Sequence, residues 1–172
     1  VATPTEDGVQ LKVVLTTDIP ADLVGKARFN LEFIPSKYQS KSFQADGDDD
    51  GEYDTFGVFP LHPQDDMEDS ERADLPSQAW YVQDWNEDRG DAQPLPFATG
   101  HEFSFAPEDE YYNINIESNS GELELFDGRN RGQNGWYVLS NLITSGKAGD
   151  TIVEWNIRPN VKEGWVREPV VG

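Results

Sequence analysis

Alternation of apolar and polar residues at every second position is the feature that most constrains how this chain folds. In segment 27–33, Phe29, Leu31 and Phe33 share one face, and polar residues occupy the positions between them. This period-two pattern is typical of half-buried β-strands. It recurs in nine short segments, namely 9–17, 27–33, 55–59, 79–85, 101–105, 111–117, 122–126, 135–143 and 151–157.

Turn-forming residues separate these segments at short intervals, as at Asn119–Gly121 and Asp127–Gly128. Many short strands joined by turns predict an antiparallel β-sandwich that is jelly-roll-like. Segments 111–117 and 122–126 are predicted to pair as a hairpin. The expected fold is therefore all-β, with about nine strands and at most one short surface helix, at 63–74.

The chain has 172 residues, which is about the size of one domain. Residues 1–8, "VATPTEDG", are interpreted as a polar linker or a processed N-terminus, and residues 9–172 as a single β-sandwich domain. Residues 60–100 are rich in Pro, Asp and Gln, which predicts a long acidic loop region. The absence of cysteine excludes disulfides and thiolate metal sites.

The formal net charge is −20, which disfavours nucleic acids and anionic membrane surfaces as partners. No apolar run is long enough to insert into a membrane. The expected partners are a polysaccharide or other glycan, and other domains of a larger protein. The expected location is extracellular or at the cell surface.

The segment "ADGDDDGEYDTFG" at 45–57 concentrates acidic residues at a spacing used by calcium-binding loops. Asp46, Asp48 and Asp50 follow the pattern D-x-D-x-D-G. Ca²⁺ prefers six to eight oxygen ligands, and such ligands also relieve repulsion between close carboxylates. The predicted cofactor is therefore Ca²⁺, bound by these three aspartates with Glu52 and Asp54.

The acidic segment resembles only the first half of an EF-hand-type loop. Its twelfth position, which holds a bidentate Glu in that motif, is Gly57. Asp65, Asp66 or Asp69 could then supply a missing ligand from another loop. The alternative interpretation is a solvated acidic turn that binds no metal.

Aromatic and amide side chains outside the predicted core are the expected sugar contacts, because aromatic rings stack on pyranose rings and amides bond hydroxyls. Trp155 alternates with Val153 and Ile157, so it is expected in the core. The predicted ligand-binding residues are Trp80, Trp85, Tyr111, Asn113, Asn115, Arg129, Arg131 and Trp136. The two arginines would clamp a carboxylate or a uronic acid. The alternatives are core or edge packing for each tryptophan and solvated loop charges for the arginines.

No recognisable catalytic motif is present, and His62 and His101 are not spaced as metal ligands. The sequence therefore favours a non-catalytic carbohydrate-binding module with a structural calcium site. Two alternatives remain open: a structural or assembly domain of a surface adhesin or envelope protein, and a small polysaccharide-active enzyme. The last would need a pair of carboxylates, and the 33 acidic residues do not identify one.

Overall fold

A computed structural model of the chain forms a sandwich of two antiparallel sheets. It describes residues 1–61, 96–129 and 136–159 in full, and the backbone alone of 83–86, 91–94 and 130–131. The strands are β1 (Ala2–Pro4), β2 (Val9–Val14), β3 (Arg28–Phe33), β4 (Ser42–Asp46), β5 (Thr55–Val58), β6 (Gln83–Asn86), β7 (Asp91–Pro94), β8 (Ala98–Gly100), β9 (Glu102–Phe105), β10 (Ile114–Ser118), β11 (Leu123–Asp127), β12 (Tyr137–Leu142) and β13 (Thr151–Arg158).

The larger sheet has seven strands in the order β1-β2-β13-β10-β9-β4-β5, and the smaller has four in the order β3-β12-β11-β8. Strands β6 and β7 form a separate two-stranded hairpin. The chain crosses between the two main sheets repeatedly, as it does from β8 to β9 and from β10 to β11. Each such crossing places neighbouring segments of sequence on opposite sides of the core.

The core between the sheets is rich in aromatic side chains, as the 12% aromatic content allows. Phe59, Phe103 and Phe105 are fully buried, and Phe105 packs edge-on against Phe33 with ring centroids 5.0 Å apart. Trp155 is also fully buried, which confirms its predicted place in the core. Because each strand alternates, the face of the seven-stranded sheet away from this core carries mainly polar side chains; we call it the outer face.

The all-β sandwich expected from the alternation is confirmed, and each of the nine predicted segments overlaps a strand. Strands β1, β4, β7 and β8 were not predicted; β1 lies within the expected linker and β7 within the expected loop region. The predicted hairpin of 111–117 with 122–126 is wrong, because β10 and β11 belong to different sheets.

Helical structure is scarce in the described ranges. It consists of one short α-helix, α1 (Pro35–Tyr38), with single 3-10 turns at Ala21–Leu23 and Gly128–Arg131. The helix predicted at 63–74 lies outside the described residues. None of the described helices has the length and hydropathy needed to cross a lipid bilayer.

Candidate functional site

Three predicted metal ligands come together where β4 ends. One carboxylate oxygen from each of Asp46, Asp48 and Asp50 lies within 4.8 Å of the others. Asp46 is buried, whereas Asp48 and Asp50 are exposed. Three close carboxylate oxygens form a group that can hold a metal ion.

The loop is shaped around Asp46, which ends β4. The Asp46 carboxylate accepts hydrogen bonds from the backbone N–H of Asp50 at 3.3 Å and of Gly51 at 2.7 Å. Gly51 has a φ of +87°, a left-handed conformation that glycine adopts without steric cost. The D-x-D-x-D-G pattern predicts a turn-forming glycine at this position, and the loop turns there.

Glu52 and Asp54 are not part of the three-carboxylate group. Glu52 is exposed, and its backbone N–H donates to Asp50 at 2.9 Å. Asp54 accepts hydrogen bonds from the Gly47 backbone N–H and the Thr55 hydroxyl, both at 3.0 Å, and these lower its pKa. The other proposed ligands, Asp65, Asp66 and Asp69, lie outside the described residues.

Repulsion among the loop carboxylates is visible at Asp48. A hydrogen bond to the Asp54 side chain raises the pKa of Asp48, and the negative charges of Asp50 and Asp54 raise it further. Close carboxylates shift one another in this way when no cation lies between them. A bound cation would act in the opposite direction and favour the charged forms.

Strand register extends the acidic group across the outer face. Asp46 lies directly opposite Glu102 on β9, and Glu102 lies directly opposite Glu117 on β10. We call Asp46, Glu102 and Glu117 the acidic row. Like charges that face each other on neighbouring strands destabilise a sheet, so this row requires compensation from its surroundings.

A cavity of about 580 Å³ opens above the acidic row. One wall is the acidic loop at Asp49–Gly51, and the opposite wall is the β10–β11 connection at Ser118, Asn119 and Gly121. The lining combines carboxylates with one imidazole, one hydroxyl and one amide. Its volume lies within the range of small-molecule sites.

Arg158, on β13, is the cation that partly neutralises this row. Its guanidinium donates to Glu117 at 2.9 Å and to Asn115 at 2.9 Å, and it lies 3.9 Å from Glu102. Tyr53, at the end of the acidic loop, donates from its hydroxyl to Glu102 at 3.0 Å. This hydrogen bond fastens the acidic loop to the sheet beneath it.

His101 contributes a polar atom that the protein does not satisfy. Its Nδ1 is buried and has no hydrogen-bond partner in the structure, the only such buried side-chain atom among the described residues. The residue lines the same cavity. Sequence reasoning missed His101, because a single histidine before a strand carries no metal-ligand or catalytic spacing.

Among the described residues, the predicted sugar ligands do not gather at this cavity. Asn115 lies on the outer face but is 4% exposed, and its amide donates to Tyr53 at 2.9 Å. Tyr111 is 71% exposed in the β9–β10 connection, and Asn113 there donates to the Asp109 carbonyl. The Asn115 amide is therefore already hydrogen-bonded within the protein, whereas the Tyr111 ring is accessible to a ligand.

Arg129 follows β11 and does not line the cavity. It donates to Asp127 from two nitrogens, at 2.9 and 2.7 Å, and to the carbonyls of Pro60 and Leu61. Its guanidinium also covers the Tyr137 ring at 4.8 Å. These contacts fix the segment after β5 to the smaller sheet.

The remaining predicted ligands are tryptophans and one arginine. Trp136 is half-buried and engaged in contacts within the protein. Trp80 and the side chains of Trp85 and Arg131 lie outside the described residues.

Comparison with known proteins does not assign a function to this site. No protein-family model, curated protein sequence or solved structure matches the chain significantly. Any functional assignment therefore depends on the chemistry of the residues themselves.

Proposed function

We propose that this protein is a non-catalytic, extracellular carbohydrate-binding module in which the acidic loop binds Ca²⁺ and the adjoining cavity receives a sugar. The observation that carries this proposal is the cavity itself. One of its walls is formed by the metal-capable loop, and its lining includes His101, Ser118 and Asn119 beside the carboxylates. Sugar hydroxyls can donate to these carboxylates.

The choice of Ca²⁺ is supported by the ligand chemistry of the loop. Asp46, Asp48 and Asp50 offer only oxygen ligands, which suit hard cations. Three carboxylates supply fewer than the six to eight oxygens that Ca²⁺ takes, and two of them are exposed. Such a site is expected to be weak, with a Kd of about 0.1–1 mM, as in extracellular modules.

Calcium titration calorimetry tests the metal part of the proposal. We expect one ion per chain in the wild type and a lower affinity in Asp48→Asn. Asp22→Asn is the matched control, because it removes the same charge from an exposed position away from the loop. If calcium binds with equal affinity to all three proteins, or to none, the loop is a solvated acidic turn.

Thermal unfolding gives an independent measure of the same site. At ~10 mM Ca²⁺ and a Kd of ~0.1–1 mM, binding stabilises the native state by about 1.4–2.7 kcal/mol. For a domain of this size the Tm should rise by about 3–10 °C relative to protein in chelator. The Asp48→Asn protein should show a smaller rise than the Asp22→Asn control.

A glycan array tests the carbohydrate part of the proposal. We expect binding of a neutral glycan in calcium and weaker binding in chelator, because the loop forms one wall of the cavity. A protein that binds calcium but none of the arrayed glycans would contradict the carbohydrate assignment and leave the metal assignment intact.

A second candidate, a polysaccharide-active enzyme, is favoured by one observation. Glu102 and Glu117 lie directly opposite each other on β9 and β10, and both line the cavity. Glycoside hydrolysis requires a pair of carboxyl groups that flank the scissile bond, and these two glutamates supply such a pair. Release of reducing ends from a bound polysaccharide, abolished in Glu102→Gln and in Glu117→Gln, would favour this candidate over the non-catalytic module.

A further inference from the structure

Strand β5, at the edge of the seven-stranded sheet, presents its apolar side chains to solvent. Phe56 is 66% exposed and Val58 is 59% exposed, whereas the core is reached by Thr55 and Gly57. This reverses the usual arrangement, in which the apolar residues of a strand face the core.

The register of β5 is fixed by its neighbours in the core. Phe59 is fully buried and packs against Phe105 and Tyr137, with ring centroids 5.0 and 4.9 Å away. A Cβ added at Gly57 would lie 2.4 Å from the Phe43 ring, so no side chain fits there. A one-residue slip would expel Phe59 from the core.

The core therefore dictates that the side chain at position 56 points outward, but it does not require that side chain to be aromatic. A polar residue would satisfy the same register. An exposed aromatic ring on an edge strand also raises the risk of aggregation. Packing in the core does not account for an aromatic residue at position 56, whereas ligand binding does.

Gln44, on β4, lies directly opposite Phe56 on the same face. Their Cβ atoms are therefore about 4.5–5.5 Å apart. The Gln44 side chain is half-buried and makes no hydrogen bond to any described residue. An exposed ring thus lies beside an amide whose donor and acceptor are not used by the described residues.

We propose that Phe56 and Gln44 form a sugar-stacking subsite on the outer face, an inference that rests on the proposed carbohydrate-binding function. The apolar face of a pyranose ring stacks on Phe56, and its hydroxyls bond the Gln44 amide. The subsite selects neutral sugars, because Asp54 and the acidic row carry negative charge on the same face.

A protein partner fits this surface less well than a sugar. The exposed apolar side chains of β5 are Phe56 and Val58 alone, and Gln44 and Ser42 lie directly beside them. Specific protein interfaces bury about 800 Å² on each side, far more than two side chains supply. A second copy of the chain is disfavoured further by the charge of −20 on each molecule.

The experiment compares truncations of exposed apolar residues at two ends of the same sheet. Cellohexaose, xylohexaose and mannohexaose are titrated into the full chain in calcium, and the glycan that binds is then titrated into Phe56→Ala, Gln44→Ala and Val14→Ala. Val14 is the matched control, because it is an exposed apolar side chain on β2, near the opposite end of the seven-stranded sheet. Circular dichroism and Tm confirm that each variant is folded.

We expect affinity to fall about tenfold in Phe56→Ala and about fivefold in Gln44→Ala, with no change in Val14→Ala. Phe56→Trp should keep the affinity of the wild type. If the wild type binds a glycan and Phe56→Ala binds it equally well, the subsite is refuted while the proposed function stands. If the wild type binds no glycan, the subsite and the proposed carbohydrate-binding function are both refuted. A wild-type dimer that Phe56→Ala converts to a monomer would identify β5 as an interface between copies and overturn the inference.

Discussion

Asn141 is the residue on which the second wall of the cavity depends. It lies on β12 of the smaller sheet and is 1% exposed. Its Oδ1 accepts hydrogen bonds from Trp155 Nε1 at 3.0 Å and from the Ser120 hydroxyl at 2.6 Å. Trp155 belongs to the larger sheet and Ser120 to the β10–β11 connection, so one amide joins both sheets and the cavity wall.

Asn141→Leu keeps the branched shape of the side chain and removes both acceptor bonds. It also removes the long, weak bonds that Nδ2 donates to the carbonyls of Ser120 at 3.3 Å and Leu142 at 3.2 Å. The Trp155 N–H, fully buried, would lose its partner at a cost of about 1–3 kcal/mol. The half-buried Ser120 hydroxyl would lose about 1 kcal/mol more, because water replaces its partner only in part. The added apolar surface of leucine offsets about 1 kcal/mol. We expect a net loss of about 2 kcal/mol, or about 4–8 °C in Tm.

A double-mutant cycle with Trp155→Phe isolates the indole hydrogen bond. Urea unfolding followed by far-UV circular dichroism measures all four proteins, because a fluorescence signal would itself change with Trp155. Trp155→Phe should cost about 1–2 kcal/mol less in the Asn141→Leu background, where the indole N–H has already lost its acceptor. A coupling energy near zero would show that this hydrogen bond does not hold the sheets together, and would refute the reasoning.

Three further perturbations test other parts of the structure. The hydrogen bond from Lys41 lowers the pKa of Asp109 to about 2, so its stabilisation is present above about pH 4 and is lost as the pH falls towards 2. Asp109→Asn should therefore cost about 1 kcal/mol at pH 7 and almost nothing at pH 2, by urea unfolding; an equal loss at both would contradict this. Gly57→Ala should cost about 1–3 kcal/mol in thermal unfolding, because its Cβ meets Phe43 at 2.4 Å; unchanged stability would argue against that close approach. Arg158→Gln should lower the urea midpoint at low salt and recover part of the loss at about 0.5 M NaCl, where repulsion is screened; a salt-independent loss would indicate packing instead.

The strands were predictable from the sequence where the apolar alternation is long. They were not predictable where strand formation depends on pairing with a neighbouring strand. Strand β4 was missed because only Phe43 and Ala45 alternate, and its strand character depends on pairing with β9. The hairpin of β10 with β11 was wrongly predicted, since a short turn normally joins paired strands. Here Ser120 accepts a hydrogen bond from the Glu154 backbone at 3.0 Å, which holds the turn at the rim of the larger sheet while β11 enters the smaller one.

The candidate site was predictable only where its residues are close in sequence. The D-x-D-x-D-G spacing identified Asp46, Asp48 and Asp50, because a short loop determines their proximity locally. Glu102 and Glu117 lie beside Asp46 only because three strands pair in a particular register. The register between segments that are distant in sequence cannot be predicted from a single sequence. The solvent-facing orientation of Phe56 was not predictable for the same reason, because it depends on how Phe59 and Gly57 fit into the core.

Charge compensation across the acidic row is incomplete at its loop end, where Asp46, Asp48 and Asp50 could hold a metal ion. Arg158 reaches Glu117 and stands within 3.9 Å of Glu102, but no described lysine or arginine forms an ion pair with Asp46. Asp46 instead accepts hydrogen bonds from the backbone N–H groups of Asp50 and Gly51. The electrostatic imbalance is therefore greatest at the loop end of the row. A divalent cation bound there would neutralise the uncompensated carboxylates and hold the cavity wall in place, so metal and sugar binding are expected to be linked.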